Sequence, residues 1–151
     1  MARRDKRYLL DTNIVRAILA GEPTVAQNVL ATPAENLFLS AVAVEEMTRG
    51  RLAELNDARE GKSKIGITLA YEWFLETLHL VHRFQILNYT DADEAQFKQF
   101  PASVKRIGRQ DCRIAAQALN HGIVVVTRNT VHFSQVPGLL CEDWTLLHEP
   151  E

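Results

Sequence analysis

Short apolar runs alternate along the chain with longer stretches in which apolar residues return at helical spacing. That alternation predicts an α/β domain with buried strands and covering helices. Arg7 to Leu10 reads as a first strand, and Asn13 to Leu19 as a short helix closed by Gly21. Pro23 opens a second helix running to about Ala31. Leu37 to Leu39 reads as a strand, Ala41 to Arg59 as a helix, and 61–64 as the loop after it. Ile65 to His82 places Leu69, Trp73, Leu78 and Val81 at helical spacing. Phe84 to Leu87 is a third strand; Asp91 then caps a helix that reaches Phe100 and ends at Pro101. Gln110 to Asn120 is an amphipathic helix stopped by His121 and Gly122. Ile123 to Thr127 is apolar on both faces, which marks a buried parallel strand. Trp144 to Leu147 reads as a last, edge strand. No repeat, low-complexity tract or linker interrupts this order. Residues 1–151 therefore read as one domain, a central mostly parallel sheet flanked by helices, with a basic tail over 1–6.

Composition narrows the class. With 151 residues, 46% hydrophobic and 24% charged, the chain can bury one sizeable core. No apolar run approaches the roughly 20 residues that cross a bilayer. After the basic start only Tyr8, Leu9 and Leu10 precede Asp11, too short a stretch for an export signal. Cys112 and Cys141 are expected to remain reduced packing residues in a cytoplasm. A formal net charge of −2 argues against holding nucleic acid by bulk positive charge. It leaves open an acidic site at which bound cations supply the missing charge.

Three groups of carboxylates fall where such a site would lie. Asp11 directly follows the first strand, and strand C-terminal ends face the ligand crevice of open α/β sheets. It is equally placed to cap the next helix. Asp111 heads the stripe formed by Ile114, Ala115, Ala118 and Leu119, so it either serves the helix N-terminus or points inward and needs a partner. Glu45 and Glu46 share a helix; Ala43, Glu46 and Gly50 form a stripe of small residues around one acid, but periodicity does not choose between the two glutamates. If three carboxylates converge, each pair at about 4 Å repels by roughly 4 kcal/mol at an effective dielectric near 20. A hard, oxygen-loving ion such as Mg²⁺ or Mn²⁺ relieves this; zinc prefers histidine and cysteine, and no close spacing of those residues here resembles a zinc site.

Four motifs in order now resemble PIN-domain nucleases, specifically VapC-type toxins of toxin–antitoxin pairs. Tyr8-Leu-Leu-Asp-Thr-Asn13 is similar to the family's opening strand and first acid. Ser40-Ala-Val-Ala-Val-Glu-Glu-Met-Thr-Arg-Gly50 is similar to the second motif, whose register selects Glu46. Ile107 to Ala116 resembles the third, with its acid at Asp111, and Val126 to Phe133 the fourth. Val136 to Leu139 and Asp143-Trp144 resemble the common tail. The resemblance implies a metal-dependent endoribonuclease with Asp11, Glu46 and Asp111 as the catalytic, metal-holding acids. It implies an RNA substrate, a homodimer and a cognate VapB-like antitoxin. It departs at one point: the acid common before the fourth motif's phenylalanine is His132 here. Asn129 offers a carbonyl oxygen and His132 an imidazole, so a shift from Mg²⁺ towards Mn²⁺ is expected.

Around these acids, Asn13, Thr12, Ser40 and Thr127 are candidates to orient the ligands by hydrogen bonding. Arg16, Arg49, Arg109, Arg113 and Arg128 are candidate phosphate contacts. Rival classes fit less well. A haloacid-dehalogenase-type phosphatase needs an acid two residues after the first aspartate, where Asn13 stands. A phospho-accepting receiver domain needs a second acid near the first strand and a lysine after the last, where Arg128 and Asn129 stand. The remaining alternative is a non-catalytic PIN module that binds RNA or protein, suggested by His132.

Overall fold

The computed structural model describes residues 5–147. Its first strand, β1 (Tyr8–Leu10), leads into α1 (Thr12–Leu19) and α2 (Pro23–Leu30). A 3-10 turn at Ala34–Asn36 precedes β2 (Leu37–Ser40), followed by α3 (Ala41–Arg59) and α4 (Ile67–Val81). Next come β3 (Gln85–Leu87), α5 (Asp91–Gln99), α6 (Ala102–Lys105) and α7 (Arg109–His121). The chain ends in β4 (Val124–Val126), α8 (Thr130–Phe133) and β5 (Cys141–Glu142). The sheet order is β3-β2-β1-β4-β5, and all four pairings are parallel. The expected sheet flanked by helices is thus present, with every pairing among the described residues parallel.

The sheet grows outward from β1 in both directions, so β1 and β4 are neighbours at the point where strand order reverses. Ligand crevices of open α/β sheets lie at that point, beyond the strand C-terminal ends. The β1–β4 register pairs Tyr8 with Val124 and Leu10 with Val126, and the Asp11 N–H extends it by donating to the Val126 carbonyl at 2.9 Å. Alternate side chains then enter opposite layers. Leu9 and Val125 join one core with Ile114, Ala115 and Phe133. Tyr8, Leu10, Val124 and Val126 join the other with Ile14, Val15, Leu39 and Trp144.

Several expectations are corrected. The last strand is Cys141–Glu142 and not Trp144 to Leu147. Asp143 accepts from the Thr145 N–H at 2.9 Å and turns the chain, while Trp144 is fully buried with its ring centroid 4.9 Å from that of Tyr8. Burying a tryptophan outweighs two more edge residues, and Leu146 and Leu147 stay exposed. Helix α5 is capped by Thr90, not Asp91; Thr90 and buried Asp93 form a reciprocal capping box. Helices α6 and α8, four residues each, are too short to leave a periodicity. Of the basic tail, residues 1–4 lie outside the described residues. Lys6 pairs with Glu142 at 3.8 Å and Arg7 donates to the His121 carbonyl, so these two belong to the fold.

Two helices with acids on them are joined by a buried amide. Ser40 caps α3 through the Val42 N–H at 3.0 Å and donates its hydroxyl to the Gln117 Oε1 on α7. The Gln117 Nε2 donates to the carbonyls of Leu87 and Asn88, each at 3.1 Å. Gln117 is fully buried. Gln117→Leu leaves Ser40 and two carbonyls short of partners and is expected to cost about 2–3 kcal/mol in urea unfolding. A loss below about 0.5 kcal/mol would show that this clamp does not hold the helices.

Candidate functional site

Asp11 stands at the junction of β1 and α1 with only 4% of its surface exposed. It is the N-cap of α1: Oδ1 accepts the Thr12 N–H at 2.8 Å. Its Oδ2 accepts the Thr127 hydroxyl at 2.9 Å and the Asn13 Nδ2 at 3.3 Å. Asn13 also donates to Thr127 Oγ1 at 3.2 Å and accepts the Arg128 N–H at 3.1 Å. Thr127 Oγ1 accepts the Asn129 N–H at 3.0 Å. This polar knot ties the turn after β1 to the turn after β4. Asp11 is therefore both cap and crevice residue, the two alternatives open to it in the sequence.

Helix α7 brings the second acid. Gly108 is its N-cap at φ +114°, a conformation that side chains other than glycine rarely adopt, and Asp111 lies in the first turn. Asp111 is thus not the cap. Glu46 follows on α3, half-buried, six residues after the Ser40 cap. Its neighbour Glu45 is exposed and pairs with Arg49 at 3.0 Å. The fold thus gives the two glutamates different surroundings, Glu45 in solvent and Glu46 partly covered.

The three acids lie in one another's fields. Burial raises the pKa of Asp11; its hydrogen bonds from Thr127 and Thr12 oppose this, Glu46 adds to it, and Arg16 opposes it. Burial also pushes Asp111 up, to about 6, with Asp11 and Glu46 adding and His132 opposing. Acids from three distant segments therefore act on one another's charge. Among the described residues no three such side chains already close into a metal cage.

The other candidates divide. Thr127 and Asn13 touch Asp11. The Thr12 backbone holds Asp11, whereas its hydroxyl is buried without a partner among the described residues. Ser40 acts on α3 and Gln117, not on an acid. His132 lies on α8, exposed, and its charge reaches Asp111. Asn129 precedes α8, with its backbone N–H on Thr127. Arg128 pairs with Glu22; Arg113 pairs with Glu94 at 3.4 Å and stacks over Phe97 at 4.5 Å. Arg16 and Arg109 have no ion-pair partner among the described residues and stay available to an anion. The residue missed in the sequence is Gln117, whose signal was a lone amide within Ala115-Ala-Gln-Ala-Leu119.

A family model for the PIN domain matches residues 8–139. Ribonuclease VapC2 of Haemophilus influenzae is 30% identical over 142 residues, covering 91% of this chain and 98% of the relative. The tRNA(fMet)-specific endonuclease VapC of Shigella flexneri is 29% identical over 143 residues, covering 92% and 98%. The solved structure of DNA-bound VapBC from Salmonella typhimurium has a TM-score of 0.74 at 22% identity, over 92% of this chain and 98% of that one, a likeness of fold. With the switch-point crevice and its carboxylates in place, the matches lead to one conclusion: the chain belongs to the PIN domain family, in its VapC branch.

Proposed function

We propose that this chain is a metal-dependent endoribonuclease, the toxin of a VapBC-type pair, with Asp11, Glu46 and Asp111 as its catalytic acids. The observation that carries this is the shared field of three acids from three distant segments at the strand-order reversal. The donor chemistry fits a hard divalent cation: all three side chains offer oxygen, and their crowding leaves a negative charge that a cation relieves. Asp11, Glu46 and Asp111 would hold Mg²⁺ or Mn²⁺, with Asn129 and His132 as further candidates. When bound, such an ion lowers the pKa of water and neutralises charge on the phosphodiester.

The chain's own residues supply orientation and selection. Thr127, Asn13 and the Thr12 N–H fix both oxygens of Asp11, so its carboxylate cannot swing away. Arg16 and Arg109 are free to take phosphate oxygens, and Arg16 also tempers the charge on Asp11. The non-catalytic alternative finds no support: the relatives carry ribonuclease names, and the charges of Asp11 and Glu46 act on Asp111. Among the described residues no helix is long and apolar enough to cross a membrane. We place the toxin in the cytoplasm as a homodimer, silenced by a VapB-like antitoxin, as the resemblance implies.

Asp11→Asn, Glu46→Gln and Asp111→Asn are each expected to lower kcat on RNA by about a hundredfold or more while leaving the circular dichroism spectrum unchanged. Chelator should abolish cleavage by the parent. Full metal-dependent cleavage by Asp11→Asn would end the assignment. His132→Asp should raise the Mg²⁺ to Mn²⁺ activity ratio and tighten Mg²⁺ in calorimetry; an unchanged ratio removes His132 from the metal's surroundings.

Stability should follow the raised pKa of Asp111. In the folded chain its proton is lost near pH 6 and in the unfolded chain near 3.8. The folded state therefore binds more protons between those values, and stability falls as pH rises through that window. Above about pH 6 the whole penalty is present. In chelator, Asp111→Asn should melt higher than the parent at pH 7.5, with the gap closing towards pH 4. A gap that is constant with pH would mean that no such penalty exists.

A further inference from the structure

A second cavity opens one helical turn along α3 from Glu46. It has a volume of 290 Å³ and is lined by Arg16, Met47, Gly50, Arg51, Glu54 and Thr77, so α1, α3 and α4 all contribute to it. Gly50 is four residues after Glu46, a spacing that puts side-chain roots about 6 Å apart on one helix face. The charge of Arg16, which lines the cavity from α1, also acts on Asp11.

Arg51 is held in place from three sides. Its Nε donates to the Thr77 hydroxyl at 3.0 Å, its Nη1 meets Glu54 at 3.3 Å, and its guanidinium lies 5.3 Å from the Trp73 ring centre. Its Nη2 has no partner among the described residues. An arginine fixed in this way meets an anion without first losing side-chain freedom. Two guanidiniums against one carboxylate leave the lining of the cavity net positive.

We propose that this cavity is the subsite for one ribonucleotide flanking the scissile bond. Arg16 and Arg51 take its phosphate, the apolar wall at Met47 takes its ribose face, and Glu54 accepts from the ribose 2′-hydroxyl. Glu54 repels phosphate but suits a hydroxyl donor, and the 2′-hydroxyl is what sets RNA apart from DNA at a site. This inference rests on the ribonuclease assignment and adds a subsite to it.

Gly50 gives a clean test. A Cβ built there meets nothing within 4 Å, so Gly50→Leu grows into the cavity without backbone conflict. Binding of a fluorescein-labelled single-stranded RNA of about twelve nucleotides is followed by anisotropy in the Asp111→Asn background with Mg²⁺. Gly50→Leu, Arg51→Gln and Arg16→Gln should each weaken binding by about tenfold, and each arginine variant should lower the salt slope by about one. An all-2′-deoxy strand should bind the Asp111→Asn parent more weakly than RNA and lose that difference in Glu54→Gln. In the chain with Asp111 intact, the loss from Gly50→Leu should be carried by KM. Thermal melts establish that each variant is folded; Gly50→Leu and exposed Arg16→Gln serve if Arg51→Gln is not. RNA binding by folded Gly50→Leu equal to that of its parent overturns the subsite while cleavage by the parent leaves the ribonuclease standing. A parent that neither binds nor cuts RNA overturns both.

Discussion

The mutual repulsion of acidic side chains drawn from three distant segments is the constraint on which this molecule is built. Asp11, Glu46 and Asp111 belong to a strand end, a long helix and the first turn of another helix. Left to themselves they would move apart into water. Their confinement requires a sheet whose strand ends open on one side and helices rigid enough to resist the push. The parallel order β3-β2-β1-β4-β5 supplies the first, since its reversal at β1 and β4 opens the crevice.

Buried polar contacts supply the second. One set joins Asp11, Asn13 and Thr127 across the β1 and β4 turns. Another joins Ser40 to Gln117 and so fastens α3 to α7. Hydrogen bonds to a charged group are worth roughly 1.5–3 kcal/mol each. Donors from Thr127, Thr12 and Asn13 to the same carboxylate therefore offset much of its burial. Among the described residues the Asp111 carboxylate accepts no hydrogen bond, and burial pushes its pKa up to about 6.

Most of the scaffold was legible because long periodic segments state their own structure. The apolar run before Asp11, the stripe of α7 and the run Ile123 to Thr127 needed little context. Three things did not show. Trp144 was read as a strand residue, because composition cannot tell a pairing aromatic from one that turns under the sheet. The arginines looked alike, yet partners decide their roles: Arg113 and Arg128 are engaged by Glu94 and Glu22, which lie far off in sequence. Glu45 and Glu46 were separated by motif register alone: one pairs with Arg49 a turn along its own helix in solvent, while the charge of the other acts on two aspartates that come from elsewhere in the chain. The clamp at Gln117 was hidden because its partners, Ser40, Leu87 and Asn88, come from two other parts of the chain.

The double duty of Asp11 has an evolutionary consequence. Its carboxylate closes the first turn of α1 as well as facing the crevice. An inactivating change there to a residue without a side-chain acceptor also loosens the helix start and exposes the chain to quality-control proteases. An inactivating change at Asp111 removes charge without removing a cap. Lineages that lose the chemistry by drift would accordingly leave behind intact, inert bodies far more often through position 111 than through position 11, and such bodies could still titrate whatever binding partner the active form has.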